Sequence, residues 1–256
     1  MAQIPEILDL LKAGAHFGHQ SSKWHPKMGP FIFTNRQGVH IINLEETQKK
    51  LKEALDFLRE EAAKGKVVLF VGTKEQAKPI LEKMAKEAGL PYITERWLGG
   101  LLTNFHELLI LLKKFRRLKS QRESGELAKY TKKEQGHFAK EIAKMEKILS
   151  GIEMLERRPD VIFIVDLKKE KTAFKEAILT NTKIVGICDT NVNPEKVDYP
   201  IPANDDAVKS LELIVGLAVE AVKEGRSQAP APVASAKAPM AGGAPVVTAR
   251  TINLSE

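Results

Sequence analysis

The chain has 256 residues, 43% of them hydrophobic and 29% charged. That is enough apolar material for one large domain or two modest ones, and the single cysteine, Cys188, excludes an internal disulfide or a cysteine-rich metal centre. Forty Lys and Arg against 33 Asp and Glu leave a net charge of +7, which suits a polyanionic partner. No apolar run of 18 residues and no signal-peptide pattern occurs, so a soluble protein is expected.

Residues 4–11 read as a short helix. The next stretch, with Gly14, His16, Phe17, Gly18, His19, Lys23, Trp24, His25, Pro26 and Lys27, reads as an ordered loop rather than a helix or central strand. Two short runs of strand formers, 31–33 and 39–42, flank Asn35-Arg36-Gln37-Gly38, which predicts a hairpin. Leu44, Leu51, Ala54, Leu55 and Leu58 recur at helical spacings and predict an amphipathic helix over 44–63.

Unbroken apolar runs at 67–71, 161–165 and 184–188, a shorter one at 92–93 and a further candidate near Ile201 lack the alternation of a half-exposed strand. They predict strands buried on both faces, with covering helices at 73–88, 170–179 and from Asp205 to about 223. The fold class is therefore α/β, a doubly wound parallel sheet. The gap between 93 and 161 holds two amphipathic patterns, 101–119 and 132–155, joined at Ser124-Gly125, and predicts an inserted antiparallel helical hairpin. The expected division is a discontinuous α/β domain (1–100 and 156–224), the hairpin (101–155) and a flexible tail (225–256), in which 15 of 32 residues are Ala, Pro or Gly.

Residues 113–158 contain 14 basic and 7 acidic side chains, so this stretch accounts for the whole net charge. Lys113, Lys114, Arg116, Arg117, Lys119, Arg122, Lys132, Lys133, Lys140, Lys144 and Lys147 spread it over many helical turns. A solvated helix face and a nucleic-acid surface are both open readings, and with no base-reading motif the second would rest on shape and phosphate contact. In the amino-terminal loop, Trp24 among Lys23, His25 and Lys27 either packs the loop or stacks on unpaired bases.

Enzyme readings find little support. Gly72-Thr73-Lys74 follows a strand, but neither GxxxxGK[ST] nor GxGxxG is present, so the segment reads as a turn whose Thr73 caps the next helix. Asp166 and Asp189 end strands and read as loop hydrogen-bonding groups; Cys188 reads as a buried hydrophobe. His16, His19 and His25 leave three readings open: loop hydrogen bonding, RNA contact, or a metal shell completed by Asp9 or Glu45. No catalytic residue and no cofactor is expected.

The segments HFGHQSSKWHPKMGPFIFTNRQGVHIINL (16–44), GTKEQA (72–77), RWLGGLLTNF (96–105), LERRPDVIFIVD (155–166), GICDTNVNP (186–194) and DYPIPANDDAVKS (198–210) resemble, in this order, the bacterial-type family of small-subunit ribosomal protein two. The resemblance implies a Rossmann-like (flavodoxin-like) five-stranded parallel sheet with a protruding coiled-coil hairpin. It implies a non-catalytic, cytoplasmic role in the small ribosomal subunit, bound to ribosomal RNA near the head–body junction. It also implies neighbouring ribosomal proteins as partners, including, in bacteria, the large first protein of that subunit. The expected RNA-binding residues are Lys23, Trp24, His25, Lys27, Arg36, Arg96, Lys113, Arg116, Arg117, Lys132 and Lys133.

Overall fold

The computed structural model of the chain describes residues 4–228. It opens with α1 (Ile7–Lys12) and three antiparallel strands, β1 (Phe17–Gln20), β2 (Ile32–Arg36) and β3 (Val39–Ile42), ordered β1-β3-β2. The β2–β3 hairpin turns at Gln37 and Gly38, whose φ values of 53° and 78° are those a tight two-residue turn requires. Part of the expected loop is thus a strand. An added Cβ on Gly18 would sit 2.6 Å from Thr190 Cγ2, so β1 is seated by a close backbone approach that hydrophobic patterning does not register.

The helix α2 (Leu44–Ala63) has the predicted bounds. Asn43 Oδ1 accepts from the Glu45 N–H at 3.0 Å and caps its start, and Leu51, Ala54, Leu55 and Leu58 are buried as their spacing requires. Then come β4 (Val68–Val71), α3 (Lys78–Glu87), β5 (Tyr92–Ile93), α4 (Phe105–Glu123), α5 (Lys132–Leu149), β6 (Val161–Ile164), α6 (Lys171–Leu179), β7 (Lys183–Cys188), β8 (Tyr199–Pro202) and α7 (Val208–Gln228).

The last five strands form one parallel sheet in the order β5-β4-β6-β7-β8. Successive strand residues feed opposite cores. Phe70 and Phe163, with ring centroids 5.2 Å apart, join Val68, Val161, Val185 and Ile187 beneath α2, α3 and α7. Leu69, Val71, Ile162, Ile164 and Ile184 face the other way, toward Met28, Trp97, Leu101 and residues of α4 and α6. Burial on both sides is why the runs are continuous rather than alternating.

Several boundaries differ from expectation, among them the start of α7, at Val208 rather than Asp205, and the end of α4, at Glu123 rather than 119; four others have a tertiary reason. Helix α3 begins at Lys78, because Thr73 is drawn to Glu170 instead of capping it. Helix α4 begins at Phe105, because residues 97–103 wrap around Glu176. Helix α5 stops at Leu149, where Gly151 abuts the sheet: a Cβ there would lie 2.2 Å from the Tyr92 carbonyl. Helix α7 continues to Gln228, past the expected start of the tail at 225, because Gly225 packs against α2; residues 229–256 lie outside the described part. Among the described residues no helix is long and apolar enough to cross a membrane.

Candidate nucleic-acid interface

The amino-terminal candidates follow β1 on two 3-10 turns, Ser21–Lys23 and Pro26–Phe31. This loop is fastened to the end of β7: the His25 N–H donates to the Thr190 carbonyl at 2.7 Å and the His19 N–H to Thr190 Oγ1 at 2.9 Å. His25 also organises the turn, since its Nδ1 accepts from the Lys27 N–H at 3.2 Å. Trp24 is 40% exposed while its ring lies 5.2 Å from that of buried His40, so one part of the indole packs the loop and another meets solvent. Lys23, Arg36 and Arg96 are exposed and make no ion pair among the described residues. Lys27 pairs with Glu195 at 2.7 Å, but both side chains are more than half exposed, so the pair is weak and open to exchange for a phosphate.

On the inserted helices, Leu108, Leu112, Phe115, Leu118, Ile142 and Leu149 are buried. Lys113, Arg117, Lys132, Lys133, Lys140 and Lys144 point to solvent without an ion pair among the described residues. Lys114 and Lys119 are tied to Glu141 (2.6 Å) and Glu153 (2.9 Å). Arg116 differs from its neighbours. Its Nε donates to the Glu153 carbonyl at 2.8 Å and its Nη2 to the carbonyls of Glu153 and Leu155, the latter at 3.0 Å, so this guanidinium holds α4 to the chain leaving α5.

At the carboxyl ends of the sheet strands, where α/β proteins commonly bind ligands, the chain closes on itself. Both the N–H and the hydroxyl of Thr73 donate to Oε1 of buried Glu170, and Lys169 Nζ donates to the Thr73 carbonyl at 2.9 Å. A carboxylate of the protein therefore occupies the position an anion would take beside Gly72-Thr73-Lys74. Asp166 Oδ1 accepts from the N–H groups of Lys168 and Lys169, both at 2.9 Å, the loop role expected for it.

Nearby, Lys74 Nζ lies 2.7 Å from Asp205 and 2.6 Å from Asp206, and His19 lies 3.0 Å from Asp189 and 3.7 Å from Asp206. Ligand atoms of His19, Asp189, Asp205 and Asp206 fall within 4.8 Å of one another, an imidazole-and-carboxylate set able to accept a divalent cation. Of the three candidate histidines only His19 enters this set, and its companions are not Asp9 and Glu45. His16 lies apart, its pKa held below the ordinary imidazole value by burial. In the sequence Asp205-Asp206 read only as a helix start, and nothing links them with Lys74 or His19, since residues so far apart in the chain leave no local signal.

Burial, reinforced by the charges of Asp189 and Asp166, pushes Asp205 up to about 7. The hydrogen bond to Asp189 raises His19 above the ordinary imidazole value despite its burial. Both groups bind protons more tightly in the folded chain than in the unfolded one. Their contribution is complete below the unfolded pKa values and is lost as pH rises through the folded ones. Urea unfolding in the presence of a chelator should therefore show stability falling by about 1–2 kcal/mol between about pH 5 and about pH 8. Asp205→Asn should flatten most of that slope; an equally steep slope in the variant would place its origin elsewhere.

In the parallel-sheet body the strand-end position beside Gly72-Thr73-Lys74 is thus filled by Glu170, while on α4 and α5 several Lys and Arg side chains face outward without an ion pair among the described residues. Comparison with known proteins supplies the family. The family model described as ribosomal protein S2 matches residues 10–225. The chain is 44% identical over 220 residues to small ribosomal subunit protein uS2 of Coprothermobacter proteolyticus, covering 86% of this chain and 82% of that one. Its match to uS2 of Dehalococcoides mccartyi is 45% over 221 residues, covering 86% and 90%, and to uS2c of Rhodomonas salina 44% over 221 residues, covering 86% and 91%. The chain belongs to the ribosomal protein S2 family, whose members are structural and not enzymatic.

Proposed function

We propose that the chain is a structural constituent of the small ribosomal subunit in the cytoplasm, bound to ribosomal RNA near the head–body junction. There it supports assembly and translation and helps seat a neighbouring ribosomal protein, in bacteria the large first protein of the subunit. Ribosomal RNA and ribosomal proteins are the partner classes that family membership implies. Numbered among themselves, the five parallel strands run 2-1-3-4-5, the order of flavodoxin-like sheets, which supports that assignment for the body formed by 1–100 and 156–224. The inserted part, 101–155, acts as a coiled-coil prong.

One observation carries the reading: Lys113, Arg117, Lys132 and Lys133 on the inserted helices face solvent and make no ion pair among the described residues. Lys23, Lys27, Arg36 and Arg96 extend the phosphate-contacting surface, Trp24 stacks on an unpaired base, and His25 holds their loop. Arg116, engaged by the Glu153 and Leu155 carbonyls, ties α4 to the chain that follows α5 within the prong. The protein-seating role draws support from the exposed Ile7, Leu11 and Phe33, which line a cavity of about 320 Å³, and from the exposed Leu8 and Phe17. Protein–RNA crosslinking in assembled subunits is expected to mark residues 23–36 together with Lys113, Arg117, Lys132 and Lys133. Crosslinks from these positions to proteins alone would overturn direct RNA contact.

A further inference from the structure

The segment Arg96 to Phe105 contains no group that the phosphate-contacting surface uses beyond Arg96, yet its backbone is held with unusual thoroughness. Gly100 sits at φ +90°, a conformation open to glycine, and the turn around it directs the N–H groups of Gly100, Leu102 and Thr103 inward. They converge on the carboxylate of Glu176, a buried residue of α6. Oε1 accepts from Trp97 Nε1 at 3.0 Å and from the Gly100 N–H at 2.8 Å. Oε2 accepts from the Leu102 N–H at 3.0 Å, the Thr103 N–H at 3.3 Å and Thr103 Oγ1 at 3.2 Å.

Five donors and no cation meet this carboxylate among the described residues. Only an acceptor on both oxygens satisfies them; an amide of the same shape would turn its own N–H groups toward two or three of the donors. The clamp ends two residues before α4 begins, while α6 itself is packed on the sheet, with Ala173 and Ala177 fully buried.

We infer that Glu176 is a positioning residue: by gripping Trp97, Gly100, Leu102 and Thr103 it sets the direction in which α4 leaves the sheet, and so the placement of the prong's cations on RNA. It touches no RNA. This inference rests on the reading of the prong as an RNA-contacting element.

Its test uses the full chain carrying Glu176→Gln or the milder Thr103→Val, which removes one donor at an exposed position. The first readout is the Trp97 indole N–H resonance. The second is the distance between spin labels at Ser120→Cys on α4 and Glu212→Cys on α7. The third is crosslinking to small-subunit ribosomal RNA.

In folded Glu176→Gln the indole signal shifts, the label distance broadens, and prong crosslinks fall about tenfold while those of residues 23–36 persist; Thr103→Val gives a smaller loss of the same pattern. An unchanged distance distribution with the indole signal shifted overturns the inference, as do prong crosslinks at the wild-type level. Should Glu176→Gln fail to fold, Thr103→Val decides by the same readouts. If the wild-type prong makes no RNA crosslinks, the functional reading fails, and the label distances still decide whether Glu176 orients α4.

Discussion

Replacing Lys113, Arg117, Lys132 and Lys133 together with glutamine is expected to weaken binding to small-subunit ribosomal RNA on the order of 100-fold near 0.1 M salt, and to reduce the slope of log affinity against log salt by about three. The physical basis is counterion release: each cation that neutralises a phosphate frees condensed counterions, and losing the contact removes that share of the salt dependence. These four side chains are exposed and make no ion pair among the described residues, so their removal leaves the fold's own contacts in place. Arg116→Ala is the matched control. Its guanidinium donates to the Glu153 and Leu155 carbonyls, so the change should lower the melting temperature and leave the salt slope nearly intact. Filter-binding titrations across a salt series separate the two, and an unaltered slope in the fourfold variant would remove the prong from the phosphate-contacting surface.

The second large effect concerns stability. An added Cβ at Gly225 would meet the Arg59 carbonyl oxygen at 2.2 Å and Ala62 Cβ at 2.7 Å, contacts that only a shift of α7 away from α2 can relieve. That shift would also strain the Arg59–Glu224 ion pair, 2.9 Å long and on the same seam. Replacing glycine by alanine within a helix normally gains about 1 kcal/mol. Here overpacking against backbone opposes the gain and wins, and Gly225→Ala should lose about 2 kcal/mol in urea unfolding. Gly136 on α5 is the counter-case: nothing lies within 4 Å of its added Cβ, so Gly136→Ala should stabilise by roughly 0.5–1 kcal/mol. A Gly225→Ala protein as stable as the parent would show that the α2–α7 seam is looser than its geometry indicates.

Gly225 also illustrates where reading the chain linearly falls short. It stands at the head of a segment rich in Ala, Pro and Gly, and composition alone assigns it to the tail. Its burial against α2, more than 160 residues earlier in the chain, makes it a helix residue. Glycine carries no side chain to advertise a packing role, so such contacts leave no trace in hydrophobic periodicity. The same holds for Gly18 beside Thr190 and Gly151 beside Tyr92. Arg116 and Arg117 look alike in the sequence, and only the Glu153 and Leu155 carbonyls distinguish a structural tie from a cation without an ion pair among the described residues.

Elements defined by near neighbours were legible. The five strands and the covering helices declare themselves because burial on both faces demands unbroken apolar runs, and α2 has the bounds its periodicity predicts. The concentration of positive charge between 113 and 158 is likewise a property of the sequence by itself, and so are the segments by which the family is recognised. Tertiary structure alone decided which charges remain available. It brought His19 to Asp189, Lys74 to Asp205 and Asp206, Thr73 to Glu170, and five donors to Glu176. Periodicity reports whether a residue faces the interior, a requirement repeated every few positions. The partner of a buried charge depends on which distant segments the sheet order brings together, and no repeating pattern along the chain encodes that.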